Sequence, residues 1–167
     1  MKELLNHYAA YNLWANERLL NIALQLSNEL QQQIVESSFS SLHKTFLHIW
    51  DAESAWWQRV KLNENIIVPS IALNPSMKET ATGLLNQSKE WKEWAENTKE
   101  HILLHEFKYY NTKREYFKNP IWQTLMHVFN HGTYHRGQVV NILHQLKVEK
   151  IPVTDFIAYM RLQNGKK

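Results

Sequence analysis

The sequence predicts an all-α protein, a four-helix bundle with a short additional C-terminal helix. Two observations carry that prediction. Apolar residues recur at spacings of three and four along four long stretches, the period of a helix with one buried face. Gly and Pro number four each in 167 residues, too few for the turns of an all-β chain. Helices of similar length joined by connections of unequal length pack most simply as a bundle. A chain of this length fits one domain, 1–167. Its core is well supplied: hydrophobic residues make up 44%, with seven Trp and seven Tyr.

The first helix is expected from Lys2 to about Leu26, with Leu4, Tyr8, Tyr11, Ala15, Leu19, Ile22 and Leu26 as its stripe. Ser27 and Asn28 break it, a short turn around Glu29 to Gln33 follows, and Val35 to Ser40 reads as connection. Ser40 or Ser41 can cap a second helix running to about Leu62. Its stripe is Leu42, Phe46, Ile49, Glu53, Trp56 and Val60, in which Glu53 is the anomaly. Asn63 to Pro75 is a loop with an apolar patch at Ile66 to Val68. Ser76 and Glu79 have capping-box spacing for a third helix, continued by Leu84, Ser88, Trp91, Ala95, Thr98 and Ile102 to about Leu103. His105 to Lys118, rich in Phe and Tyr, reads as a short hairpin or an ordered loop. Asn119-Pro120 reads as an N-cap and first helical position for a fourth helix ending near Lys147. Pro152 and Thr154 introduce the final short helix, containing Phe156, Ile157, Tyr159 and Met160.

Composition narrows the chemistry. The chain has no Cys, which excludes disulfides, thiolate ligands and a cysteine nucleophile. The opening MKELLNHYAAYNLW lacks the apolar run of a signal peptide, and no stretch is long and apolar enough to span a bilayer. A cytoplasmic protein is therefore expected. The net charge of +3 is weak and dispersed. Its densest basic stretch, Lys108 to Lys118, is interrupted by Glu115 and by aromatics. A small-molecule partner is expected, with no nucleic acid and no membrane.

Histidine is the informative residue, with nine in the chain. His127, His131 and His135 lie at i, i+4 and i+8 of the fourth helix. Residues four apart are neighbours on a helix, so an H-x-x-x-H pair can share one ion. All three cannot easily do so, because the outer two are about 12 Å apart along the axis and roughly 80° apart around it. His135 sits in the apolar stripe and His131 at its edge, so that pair is better aimed inward. Gly132 between them leaves room for a neighbouring helix or a ligand. Position 132 is also where the zinc-protease motif carries its catalytic Glu, so a metalloprotease is disfavoured. Spacing alone leaves open whether these histidines bind metal or simply cap backbone carbonyls at a core edge.

The stretch from Leu125 to Val139, LMHVFNHGTYHRGQV, closely resembles the signature of the DinB-like family of helical metal-binding bundles, which is unrelated to the lesion-bypass polymerase. Tyr11 to Asn16 (YNLWAN) and Leu47 to Glu53 (LHIWDAE) resemble its first- and second-helix motifs. Asp155-Phe156-Ile157 with Tyr159 and Arg161 resembles its C-terminal helix. The likeness spans nearly the whole chain. It implies one metal held by three histidines, His48, His131 and His135. His48 is named by the resemblance alone, since it flanks its own helix's apolar stripe. The resemblance also implies an open metal site used for small-thiol S-transfer or hydrolysis, with a low-molecular-weight thiol as co-substrate, and a homodimer. The alternative is a non-catalytic metal-binding stress or interaction protein. Zinc or nickel suits three nitrogen ligands.

Assisting residues are few. Asp51, three residues after His48, is either on the site's side of its helix or a solvated acid. Glu53 either supports a ligand histidine or makes a buried structural hydrogen bond. Tyr134 and Gln138 are candidates to face the cavity. Arg136 is a candidate for an anionic substrate or a surface ion pair. His127 is expected to support the site rather than ligate.

Overall fold

A computed structural model describes residues 1–111 and 113–165, and it is mostly helical. Four long helices dominate: α1 (Lys2–Ala23), α3 (Leu42–Val60), α5 (Met77–Asn97) and α7 (Ile121–Gln145). Short helices fill the connections: α2 (Asn28–Gln32), α4 (Pro69–Ala72), α6 (Glu100–Leu103) and the terminal α8 (Phe156–Gln163). A two-stranded antiparallel hairpin, β1 (Glu106–Tyr110) with β2 (Tyr116–Pro120), stands between α6 and α7. Helices α1 and α3 each pack against both α5 and α7.

Local chemistry sets most boundaries. Ser41 caps α3 by accepting from the Lys44 N–H, and Ser76 with Glu79 closes a complete capping box on α5. Each such cap satisfies amides that would otherwise be unpaired, worth about 0.5–2 kcal/mol. Differences from expectation have equally local causes. Helix α1 stops at Ala23, because the chain turns back where Gln31 Nε2 binds the Ala23 and Leu26 carbonyls. Helix α5 ends at Asn97, where the Thr98 hydroxyl turns back to the Trp94 carbonyl. Leu103 rather than Ile102 then enters the core. Pro120 is the N-cap of α7 rather than its first residue, and it closes β2 at the same time. The apolar loop after α3 contains the single turn α4. On α1 the buried stripe runs through Leu5 and Ala9 rather than Leu4, which is half exposed.

The apolar core is in two parts. One holds Leu19, Leu20, Leu42, Phe46, Ile49, Leu84, Val139 and Ile142. The other holds Leu5, Ala9, Trp91, Ala95, Leu125, Val128 and Phe129. Between these two sets every long helix contributes a buried polar residue or a glycine: Asn12 and Asn16, Glu53, Ser88, Gly132 and Arg136. A polar layer thus crosses the middle of the helix assembly. Helix α8 lies outside it, docking Phe156, Tyr159 and Met160 on Tyr11 and Trp14 of α1.

Candidate metal centre

His131 and His135 lie on successive turns of α7, and α3 runs beside them carrying His48. The Nε2 atom of His131 is 3.2 Å from that of His48 and 3.1 Å from that of His135. All three ligand atoms lie within 4.8 Å of one another, and the trio could hold a metal ion. His127 stays apart. Its ring is 5.9 Å from that of His131, and it packs edge-on against Trp56.

The proton inventory of the trio is informative. Gln138 Nε2 donates to the Ser38 hydroxyl at 2.8 Å, so its Oε1 is the atom facing His135 Nδ1, also at 2.8 Å. His135 must then carry its proton on Nδ1, which leaves Nε2 a bare lone pair. That lone pair faces two more ring nitrogens in a partly buried site. Burial, then the neighbouring His135 ring, pushes His48 down to about 4. Burial together with the His135, His48 and His127 rings pushes His131 down to about 3. Burial lowers His135 as well. The site therefore favours neutral imidazoles, the protonation state that ligates metal.

One wall comes from a segment read from sequence only as connection. Phe39 stacks on the His48 ring at 4.1 Å and meets His135 edge-on at 5.6 Å. A single aromatic amid Ser37, Ser38, Ser40 and Ser41 was the available signal. Tyr134 touches the His135 ring edge-on at 4.9 Å but is 63% exposed, so it borders the site from outside. Asp51 accepts the Ser70 N–H at 2.9 Å, anchoring α4 to α3.

Glu53 serves none of the histidines. It is fully buried, receiving Asn12 Nδ2 at 2.8 Å, Asn16 Nδ2 at 3.1 Å and the Ser88 hydroxyl at 2.9 Å. Arg136 is the other end of this network, and it is buried rather than on the surface. Its Nη1 donates to Asn12 Oδ1 at 2.6 Å and Asn16 Oδ1 at 3.0 Å, and its Nη2 donates to the Thr133 hydroxyl at 2.8 Å. Two asparagines thus relay a buried carboxylate to a buried guanidinium, amide nitrogens toward one and amide oxygens toward the other. Burial pushes Glu53 upward. Yet its three side-chain partners donate to its carboxylate, an arrangement that suits the ionised form. The network links α1, α3, α5 and α7 at the level of the histidines.

Gly132 belongs to this network rather than to the cavity. A Cβ there would sit 2.8 Å from Asn12 Oδ1 and 2.9 Å from Arg136 Nη1. Gly132→Ala should therefore destabilise by about 1–3 kcal/mol through overpacking. Urea denaturation checks this, and an unchanged midpoint would contradict the close approach.

A family model for the DinB family matches residues 1–167. The chain belongs to the DinB family. Protein DinB of Bacillus subtilis (strain 168) is 27% identical over 169 residues, covering 94% of each chain. The match takes in the whole chain, from the YNLWAN of α1 to the histidine helix α7. Among the described residues, no helix is long and apolar enough to cross a membrane.

Proposed function

We propose that His48, His131 and His135 bind one divalent ion, zinc or nickel, and that the protein uses it to transfer a small thiol to an electrophile or for a related hydrolysis. The observation that supports this reading is the convergence of three ring nitrogens in a site that favours neutral imidazoles. Ligands at about 2.0–2.1 Å in tetrahedral array stand about 3.3 Å apart, close to the two spacings given above. On this proposal the four long helices form a four-helix bundle, with the site between its second and fourth members.

Bound in this pocket, such an ion would supply Lewis acidity toward a thiol or water at the position the imidazoles leave open. The chain supplies the rest. Neutral imidazoles leave the cation its full charge, which favours loss of a proton from the substrate. Gln138, steadied by Ser38, holds His135 in the ligating tautomer. Phe39 keeps water from one flank. Asp51 is engaged with Ser70 and Glu53 is sealed in its network, so the thiol proton passes to solvent rather than to either acid.

The test is turnover of 1-chloro-2,4-dinitrobenzene with cysteine or other small thiols, with zinc or nickel loaded. Rates should depend on both metal and thiol, and should fall at least a hundredfold in His135→Ala. Equal rates in the two proteins, across thiols and metals, would remove the enzymatic reading. The lack of a free general base favours a second reading, in which the ion only ties α3 to α7. That reading predicts a large fall in melting temperature on chelation and no competition by small thiols.

A further inference from the structure

Arg59 is a cation without an ionic partner among the described residues. It lies near the C-terminal end of α3, half-buried, with its guanidinium 4.7 Å over the Trp56 ring and 6.0 Å over the Tyr109 ring. Its Nε is closed off from solvent with no hydrogen-bond partner among the described residues. Burial lowers its pKa, opposed only by the Tyr109 phenol. A half-buried guanidinium laid on aromatic faces is preorganised for an anion.

The Trp56 and Tyr109 rings beneath this guanidinium also wall a cleft of about 270 Å³, completed by Asn119, Gln123, Thr124 and His127. Its acceptors are largely used up internally. Tyr109 donates to Asn119 Oδ1 at 2.9 Å, and Asn119 Nδ2 donates to Gln123 Oε1 at 2.8 Å. That leaves the Gln123 amide nitrogen as a donor, with the His127 ring and the Thr124 hydroxyl each able to donate, none of them partnered among the described residues. An aromatic-walled cleft with surplus donors and a neighbouring cation suits an acceptor that carries negative charge. His127 precedes His131 by one helical turn, with ring centres 5.9 Å apart, so the cleft adjoins the histidine trio.

We infer that this cleft seats a carboxylate end of the substrate or co-substrate, with Arg59 as its charge partner. The occupant is then an elongated small molecule, with a sulfur or oxygen at the histidines and a carboxylate about 10 Å away, two α-helical turns. This assignment rests on the metal-site reading for the first end of the molecule but not for the second. Arg59 and Gln123 become specificity-determining residues, and the role of His127 is to border the cleft rather than to ligate.

The test uses two thiols of equal length, 6-mercaptohexanoate and 6-mercaptohexanol, titrated into cobalt-loaded protein. The readout is the sulfur-to-cobalt charge-transfer band. The acid should bind at least tenfold more tightly than the alcohol. Arg59→Gln and Gln123→Glu should each erase that preference and leave the alcohol unaffected, while Arg59→Lys should restore part of it. Gln123 is exposed, and glutamate there keeps the acceptor for Asn119 while placing a carboxylate in the cleft. Equal binding of the two thiols by the unaltered protein would overturn the inference. Should cobalt not bind at all, the metal reading fails separately. Tryptophan fluorescence of the metal-free protein with hexanoate against hexanol then decides, a saturable, Arg59-dependent response to hexanoate alone supporting the cleft and its absence refuting it.

Discussion

Glu53→Ala is expected to cost about 3–5 kcal/mol of folding stability, the range for breaking a buried ion pair from one side. In a chain of this length that lowers the melting temperature by roughly 6–20 °C. The loss comes less from the missing contacts than from what they leave behind. Arg136 would remain almost wholly buried, with its positive charge relayed through Asn12 and Asn16 to nothing. Asn12, Asn16 and Ser88 would each lose an acceptor for a buried donor. Arg136→Met should be comparably damaging for the mirror reason. Glu53→Leu combined with Arg136→Met should be less destabilised than the sum of the two single changes, because no lone charge stays inside. Thermal and urea denaturation of the set checks this. A loss below about 1 kcal/mol for Glu53→Ala, the scale of an exposed pair, would mean that the carboxylate is not held as an ion.

The second large effect is on metal. His131 is the hub of the trio, with both short nitrogen–nitrogen distances. His131→Ala should lower affinity for zinc or nickel by more than about a hundredfold, beyond the 10- to 100-fold typical of losing an outer hydrogen-bonding partner. Gln138→Ala should fall within that smaller range, since it frees the His135 tautomer without deleting a ligand. The pH dependence follows from the same burial. Protons compete for an imidazole only as pH approaches its pKa. His48 at about 4 and His131 at about 3 should therefore keep the metal well below the ordinary histidine value of about 6.5. The metal-free fold shows the linked effect. Unfolded histidines take up protons from about pH 6.5, and the folded ones do so only near 4 and 3. Their contribution to stability is therefore complete above 6.5 and is lost as pH falls from there through about 4 for His48 and about 3 for His131. Competition titrations with a chromophoric chelator, repeated across pH, measure both.

Periodicity located the four long helices because their stripes are regular, and capping chemistry placed the starts of α3 and α5 within a residue or so. It failed where tertiary contacts set a boundary, as at Ala23 and Asn97. The polar layer was visible only as anomalies. Glu53 and Ser88 stand in apolar stripes, but nothing in a single helix pairs them with Asn12, Asn16 and Arg136 across four. Arg136 was misjudged for that reason: an arginine at a stripe edge has no local signal for burial. On α7, spacing could select His131 and His135. His48 lies outside its own stripe because it points to the rim between α3 and α7 rather than into the core, so only family likeness could name it. Phe39, on a connection without periodicity, left no pattern to read.

X-ray absorption on protein loaded with one zinc per chain is the most direct check of the metal centre. Three histidine nitrogens at about 2.0–2.1 Å with one oxygen or sulfur neighbour completing the shell, reduced to two nitrogens in His48→Ala, is the expected result. A shell unaltered by that substitution, or zinc that washes off the unmodified chain, would contradict it.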